Sequence, residues 1–327
     1  MHRVTVSMSE LGSTHPSLDI PPLRSPKPNR VRRAWLRGSR REEQWLGFAM
    51  VTPILALLAV FGLYPLARTI QISLTDWDGL SSTFHYIGIR NYLKAFQDGV
   101  WWQSIEHGLI FALVALTVMQ GIGLLLALGA DQKIRGQSIY RVLFYLPPVL
   151  SGIVVAIVWK WLYQPYGGPL NGLLRAVGLS HLEHPWLGDG ATALWAVSLA
   201  SVWQGVGTPF LLFLAALQNV PEELCDAARV DGATRWQVFR NVTLPSILPT
   251  IGLVSVLTFL GAMQMFNMVL AMTNGGPGYA TEVPVLHIFR AAFELNQFGY
   301  ATALAALFGF MLFLVSLLTL RATKRQN

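Results

Sequence analysis

Residues 221–249 read PEELCDAARVDGATRWQVFRNVTLPSILP. The stretch is too polar to cross a bilayer and too regular to be a simple linker. Pro221 suits a helix first turn, and Glu222 and Glu223 suit the positive end of its dipole. Leu224, Ala227, Ala228 and Val230 give that short helix an apolar side. Gly232 then interrupts, because glycine enters left-handed or tightly turned backbone without steric cost. Trp236, Val238, Phe239 and Val242 follow on a second short segment, which Pro245 and Pro249 are expected to end before the next apolar run. Two short helices with outward apolar residues, held between apolar segments, suit either a docking knob or an amphipathic helix lying on lipid. The residues alone leave both open.

The rest of the chain explains why such a loop stands where it does. Of 327 residues, 53% are hydrophobic and only 13% charged, with a mean hydropathy of +0.46. That charged share is about half the usual one. A soluble core cannot hide so much apolar surface, so lipid is the expected solvent. Six segments are long and apolar enough to cross a bilayer as helices: Trp45–Ala67, Ile105–Ala130, Val142–Tyr163, Ala191–Leu217, Ile247–Thr273 and Gly299–Leu320. Trp45, Trp101, Trp102, Trp159, Trp161, Tyr163, Trp186 and Trp195 lie near their edges, where amphipathic rings favour the interface. These segments do not alternate as barrel strands would, so the expected fold is all-α, a polytopic membrane protein with six transmembrane helices.

The net charge of +7 is a matter of location. Residues 1–44 hold nine basic residues and five prolines and no apolar run, which makes them a basic, Pro-rich tail rather than a cleaved signal peptide. With that tail inside, segments 1–44, 131–141, 218–246 and 321–327 carry 18 basic and 9 acidic residues, whereas the outside carries 6 and 8. The positive-inside rule therefore places both termini in the cytoplasm and reads the charge as an orientation signal, not a nucleic-acid signal. The domains expected are the tail 1–44, a six-span region 45–320 with the cytoplasmic loop 221–246, and a short basic tail 321–327.

Several function classes fall away. The apolar segments hold essentially no ionisable residue between their flanks, which weighs against a proton-coupled carrier. No P-loop is present for ATP, and no Ser/His/Asp or paired-carboxylate spacing points to catalysis. Cys225 is the single cysteine, so no internal disulfide and no cysteine-based zinc or iron–sulfur site is expected within the chain. A stand-alone sodium-coupled carrier using backbone carbonyls stays open, as does a scaffold whose loop docks a regulator. The polar residues inside spans are Gln120, Gln204, Thr208, Gln264 and Asn267. Each suits a helix–helix hydrogen bond. Gln264 and Asn267, three apart, are expected to share one helix face, and amides can hydrogen-bond an uncharged, hydroxyl-rich solute.

The loop is also specific in its spacing. It resembles the cytoplasmic signature of inner-membrane permease subunits of binding-protein-dependent ABC importers. That signature is Glu-Ala-Ala, three residues, Gly, nine residues, Ile, any residue, Leu-Pro; here it reads Asp226-Ala227-Ala228, Gly232 and Val242-Thr243-Leu244-Pro245 at the same spacings. Asp226 and Val242 depart from it in residue type while keeping charge sign and apolar character. The resemblance runs from about Trp45 onward. Leu63-Tyr64-Pro65, Ser73-Leu74-Thr75-Asp76-Trp77, Gly88-Ile89-Arg90-Asn91-Tyr92, Lys133-Ile134-Arg135-Gly136, Leu146-Pro147-Pro148, Thr273-Asn274-Gly275-Gly276-Pro277 and Phe298-Gly299-Tyr300-Ala301 are similar to the carbohydrate branch, of the maltose or glycerol-phosphate type.

The resemblance implies a type I ABC importer permease fold in a bacterial or archaeal cytoplasmic membrane, with no cofactor and no chemistry of its own. It implies a second homologous permease as heterodimer partner, an ATP-binding-cassette ATPase dimer, an extracytoplasmic solute-binding protein and no nucleic acid. Glu223, Asp226, Ala227, Ala228, Asp231, Gly232, Leu244 and Pro245 would then couple to the ATPase, with the loop around Gly232 as the coupling helix seated in an ATPase groove. Substrate contacts would fall on the fourth and fifth spans, at Gln204, Gly205, Thr208, Gln264 and Asn267, with Trp203 either stacking on a sugar ring or packing.

Overall fold

The computed structural model describes residues 45, 47–131 and 137–324. The expected tail 1–44, the Lys133-Ile134-Arg135-Gly136 stretch and residues 325–327 lie outside the described residues. Those described fold into helices, with one isolated antiparallel bridge between Thr75 and Tyr86. The chain divides into two compact units, one up to Tyr64 and one from Pro65 onward. The helix Gly47–Ser73, 27 residues of high hydropathy, leads from the first to the second.

Three further helices are long and apolar enough to cross a membrane: Gly99–Ala130, Arg235–Met272 and Phe298–Leu318. Two bent pairs meet the same test, Ile139–Val149 with Gly152–Leu162 at 93° and Gly190–Gly205 with Gly207–Gln218 at 41°. With each pair counted as one crossing, the segments number the six expected. Their edges differ from the sequence expectation for local reasons. The second span begins at Gly99, because the Asp98 carboxylate caps it by accepting the N–H groups of Val100 and Trp101 at 3.0 and 3.1 Å. Glu106 and His107, at the very start of the expected segment Ile105–Ala130, therefore sit well inside the helix. The sixth helix continues to Lys324, so the described part of the expected tail 321–327 is helical.

Pro245 and Pro249 were expected to end the second short segment of the loop, and they do not. A π-helical turn, Phe239–Thr243, joins Arg235–Val238 directly to Leu244–Met263. In that wider turn the Leu244 N–H reaches back five residues to the Phe239 carbonyl. Pro245 then falls in a first turn, where its missing N–H costs nothing.

The second and fifth spans are central. Trp101, Met263 and Leu304 anchor one buried cluster. Phe111, Val155, Val197 and Met272 anchor another, and Ala127, Phe210, Phe213 and Ile247 a third. Fully buried alanines, among them Ala127, Ala156, Ala200 and Ala303, mark close helix contacts, as expected where lipid removes most of the hydrophobic drive and association rests on close packing.

Candidate functional site: a cavity at three helix breaks and an exposed two-helix loop

Three of the spans are interrupted, and the interruptions meet. In the third, Pro147 and Pro148 supply no N–H at two successive positions, the chain tightens into a Leu150 N–H to Pro147 carbonyl bond of 3.2 Å, and Ser151 is extended. In the fourth, the break falls at Val206, and Gly207 lies so close to the Phe144 carbonyl that a Cβ has no room. In the fifth, Gln264 closes one helix, Phe266 takes φ −134°, and Asn267 opens the next.

These breaks border one cavity of about 570 Å³, within the range of small-molecule sites. Its wall includes Leu150 and Gly152 from the third span, Gln204, Gly205 and Thr208 from the fourth, and Gln264 to Asn267 from the fifth. All five residues singled out from the sequence line it. One part of that reasoning is corrected. Gln264 and Asn267 do not share a helix face, because the break separates them; the interruption itself turns both to the cavity. Gln204 also ties two breaks together, its side-chain N–H donating to the Leu150 carbonyl at 3.0 Å. Trp203 is not on the wall and packs edge-on against Trp159 at 6.0 Å. Ser201 and Thr258 line the cavity and were missed. Ser201 stands three residues before Gln204, so helical spacing could have found it; Thr258 stands three residues after Ser255, whose hydroxyl turns instead to Gln120, so spacing did not single it out.

The loop is built from local rules. Glu222–Val230 carries Glu222 and Glu223 in its first turn and Arg229 in its last, each matched to the helix dipole. It ends in a Schellman motif: Ala233 N–H bonds the Ala228 carbonyl and Gly232 N–H the Arg229 carbonyl, both at 3.0 Å, with Gly232 at φ +83°. Thr234 and Gln237 then form a capping box that starts Arg235–Val238. The apolar side chains point out: Val230 is 87% exposed, Trp236 66% and Leu224 52%. Glu223, Asp226, Ala227, Asp231, Gly232 and Pro245 are exposed, and Ala228 and Leu244 are half-buried. Asp226 pairs with Arg229 at 2.8 Å, an exposed bridge of little energetic weight. A polar cavity of about 670 Å³ adjoins this helix, bordered by Asp131, Glu222, Cys225, Asp226, Arg229 and Thr243. Burial, with Glu222 adding to it, pushes the Asp131 carboxyl up against the pull of Arg141. Among the described residues no cluster of three His, Cys, Asp or Glu side chains could hold a metal.

The profile of the binding-protein-dependent transport system inner membrane components matches residues 121–326. The chain belongs to this family.

This permease is 36% identical over 308 residues to a diacetylchitobiose uptake system permease of Streptomyces coelicolor, covering 86% of this chain and 87% of that one. It is 33% identical over 282 residues to a multiple sugar-binding transport system permease of Streptococcus mutans, covering 86% and 96%. It shares its fold, at a TM-score of 0.76 and 22% identity over 90% of this chain and 99% of the other, with a chain of a bacterial ABC transporter that imports the acidic polysaccharide alginate.

On the side of the permease opposite the loop, the segment after the fifth span is fastened by buried charge. Glu282 is 0% exposed and pairs with Arg290 at 2.7 Å, while Arg290 also donates to the Asn274 carbonyl at 3.0 Å. His287 lies between Asp98 at 3.2 Å and Glu282 at 3.4 Å. The Tyr300 hydroxyl donates to Asp98 at 2.6 Å. Burial acts to raise the Asp98 carboxyl, but the Tyr300 hydroxyl, the Trp101 N–H and His287 outweigh it and hold it below the usual carboxylate range. The network joins the start of the second span to the start of the sixth. Sequence reasoning saw the Asn-Gly-Gly-Pro turn here but not the network: Glu282, His287 and Arg290 are near in the chain, but Asp98, which ties them to the second span, is far from all three.

Proposed function

We propose that this permease forms one wall of the pathway through which an ATP-driven importer of the cytoplasmic membrane moves a sugar, and that residues 221–246 receive the ATPase. The observation that carries the reading is a continuity. The second helix of the loop runs without interruption into the fifth span, and the far end of that helix is the break at Gln264 that borders the cavity. Movement imposed on Arg235–Val238 is thereby delivered to the cavity by a rigid rod, where a flexible loop would dissipate it.

In this reading both termini are cytoplasmic, and the exposed Leu224, Val230 and Trp236 enter a groove of the ATPase. Glu223, Asp226 and Asp231 face its basic side chains, Ala227 and Ala228 permit close approach, Gly232 sets the turn, and Leu244 and Pro245 pass the motion on. Gln204, Thr208, Gln264 and Asn267 hydrogen-bond the solute, and Gly205, whose missing side chain leaves room for Met119, contributes backbone to the wall. ATP hydrolysis belongs to the partner chain. A second, homologous permease supplies the other wall as a heterodimer partner, and a soluble protein delivers the solute from outside, as in the alginate importer solved with its periplasmic protein. Sugars as substrates are supported by the diacetylchitobiose and multiple-sugar relatives.

Uptake of a radiolabelled sugar by proteoliposomes, holding the complex purified through a tag on this chain, tests the pathway. Gln264→Ala with Asn267→Ala is expected to lower uptake at least tenfold while the complex still assembles; unchanged uptake returns both residues to packing. Cys225 tests orientation. It is expected to react with an impermeant maleimide from the cytoplasmic side only, and more slowly once the ATPase is bound.

A further inference from the structure

The wall of the cavity carries no charge of any kind. Among its 21 bordering residues there is no Asp, Glu, Lys, Arg or His. The polar groups are Ser201, Gln204, Thr208, Thr258, Gln264 and Asn267, neutral amides and hydroxyls that offer donors and acceptors together. The backbone is balanced in the same way. Each break sets the end of one helix beside the start of the next: Val149 beside Gly152, Gly205 beside Gly207, and Met263 beside Asn267. A helix end carries a partial negative charge and a helix start a partial positive one, so at each break the two offset.

An ion entering such a space gives up its hydration and finds neither a counter-charge nor a dominant dipole. A neutral polyhydroxylated molecule loses less on entry and finds partners of both kinds. We propose that this wall selects uncharged solutes and rejects sugar acids and sugar phosphates, so that specificity against charge is built into the permease in addition to whatever the delivering protein selects. The inference rests on the pathway reading above and narrows its substrate class. It separates this chain from the alginate importer, whose fold it shares and whose cargo is acidic.

The test avoids the delivery step. In the purified complex with Cys225→Ser, a thiol is introduced at the exposed position Thr208 (Thr208→Cys), and separately at Ser201 (Ser201→Cys), in case one variant fails to assemble. Rates are measured with three methanethiosulfonates: uncharged hydroxyethyl, anionic sulfonatoethyl and cationic trimethylammonioethyl. Each is divided by its rate with a free small thiol. The expected result is that both charged reagents fall behind the uncharged one by about tenfold or more, a difference of about 1.4 kcal/mol. Adding Gln264→Lys is expected to restore the anionic reagent and not the cationic one. Normalised rates that are equal for all three reagents overturn charge rejection and leave the pathway reading standing. A Gln264→Lys background with no effect on the anionic rate also overturns it. No reaction with any reagent at either position shows that the cavity is not on a solute route, which sinks both.

Discussion

The two ends of the fifth span make opposite use of their side chains. At the loop end, residues 222–243, the apolar groups Leu224, Val230 and Trp236 stand in solvent, while a Schellman motif and a capping box hold the backbone still. At the other end, residues 274–297, a charge is enclosed: Glu282 is fully buried against the half-buried Arg290, with His287 between it and Asp98 of the second span's cap. An exposed apolar face on rigid local structure is made to meet something else. A buried carboxylate paired inside the molecule is made to hold its own elements together, because it has no water to fall back on when the pair is broken. The difference separates a surface that receives force from a frame that resists it, and the rod between them carries the cavity at its break.

The contrast can be attacked from both sides. The largest effect is expected at the frame. Glu282→Ala leaves the half-buried Arg290 with only the more exposed Glu294 carboxylate and the Asn274 carbonyl, and should cost about 1–3 kcal/mol. It should be read as a lower unfolding temperature of the permease and lower recovery from the membrane, with the ATPase still bound by whatever permease survives. Normal stability with lost ATPase binding would reverse the assignment of the two ends. Next is the turn in the loop. Nothing lies within 4 Å of a Cβ placed at Gly232, so its requirement is the left-handed backbone and not space. Gly232→Val should strain the loop by about 1–2 kcal/mol and Gly232→Asn by less. ATPase-coupled uptake should follow the order Gly, Asn, Val, while unfolding of the transmembrane region stays unchanged. If bulk rather than backbone conformation ranks the variants, so that Asn and Val behave alike, the turn is not what matters.

The smallest effect is in pH. Asp98 is held below the usual carboxylate range, so its contribution is present above about pH 4 and fades as the pH falls through its lowered value. Thermal unfolding followed from pH 7 downward should show this loss, and Asp98→Ala, at a cost of about 1 kcal/mol, should remove that part of the pH dependence. Loop variants should leave it untouched.

What was legible in the sequence follows the same division. The caps of the loop are local: a glycine, a threonine and a glutamine at fixed spacing dictate the two helices, and all can be read from about twenty residues. The six apolar segments are equally legible, since a bilayer sets their length. The breaks were only half legible. Pro147-Pro148 announces one, but the interruption at Gln264–Phe266 has no proline or glycine at its centre, so Gln264 and Asn267 were assigned to one helix face. The right residues reached the cavity for a different geometric reason. Pro245 and Pro249 misled in the other direction, because a π-helical turn lets the helix pass the first of them. The Glu282–Arg290–His287–Asp98 network was not legible at all: its two most distant members are separated by nearly two hundred positions, and nothing in either local pattern points to the other.

The most direct test concerns the exposed loop. Val230→Glu combined with Trp236→Glu leaves both caps intact, and the exposed Trp236 gives up a surface ring contact with Phe239 at 5.5 Å. The measurement is co-elution of the P-loop ATPase with the permease, purified from membranes through a tag on this chain. The expected result is a permease of normal amount and normal unfolding temperature that has lost its ATPase. An ATPase that co-elutes at the wild-type ratio would mean that force enters the permease elsewhere.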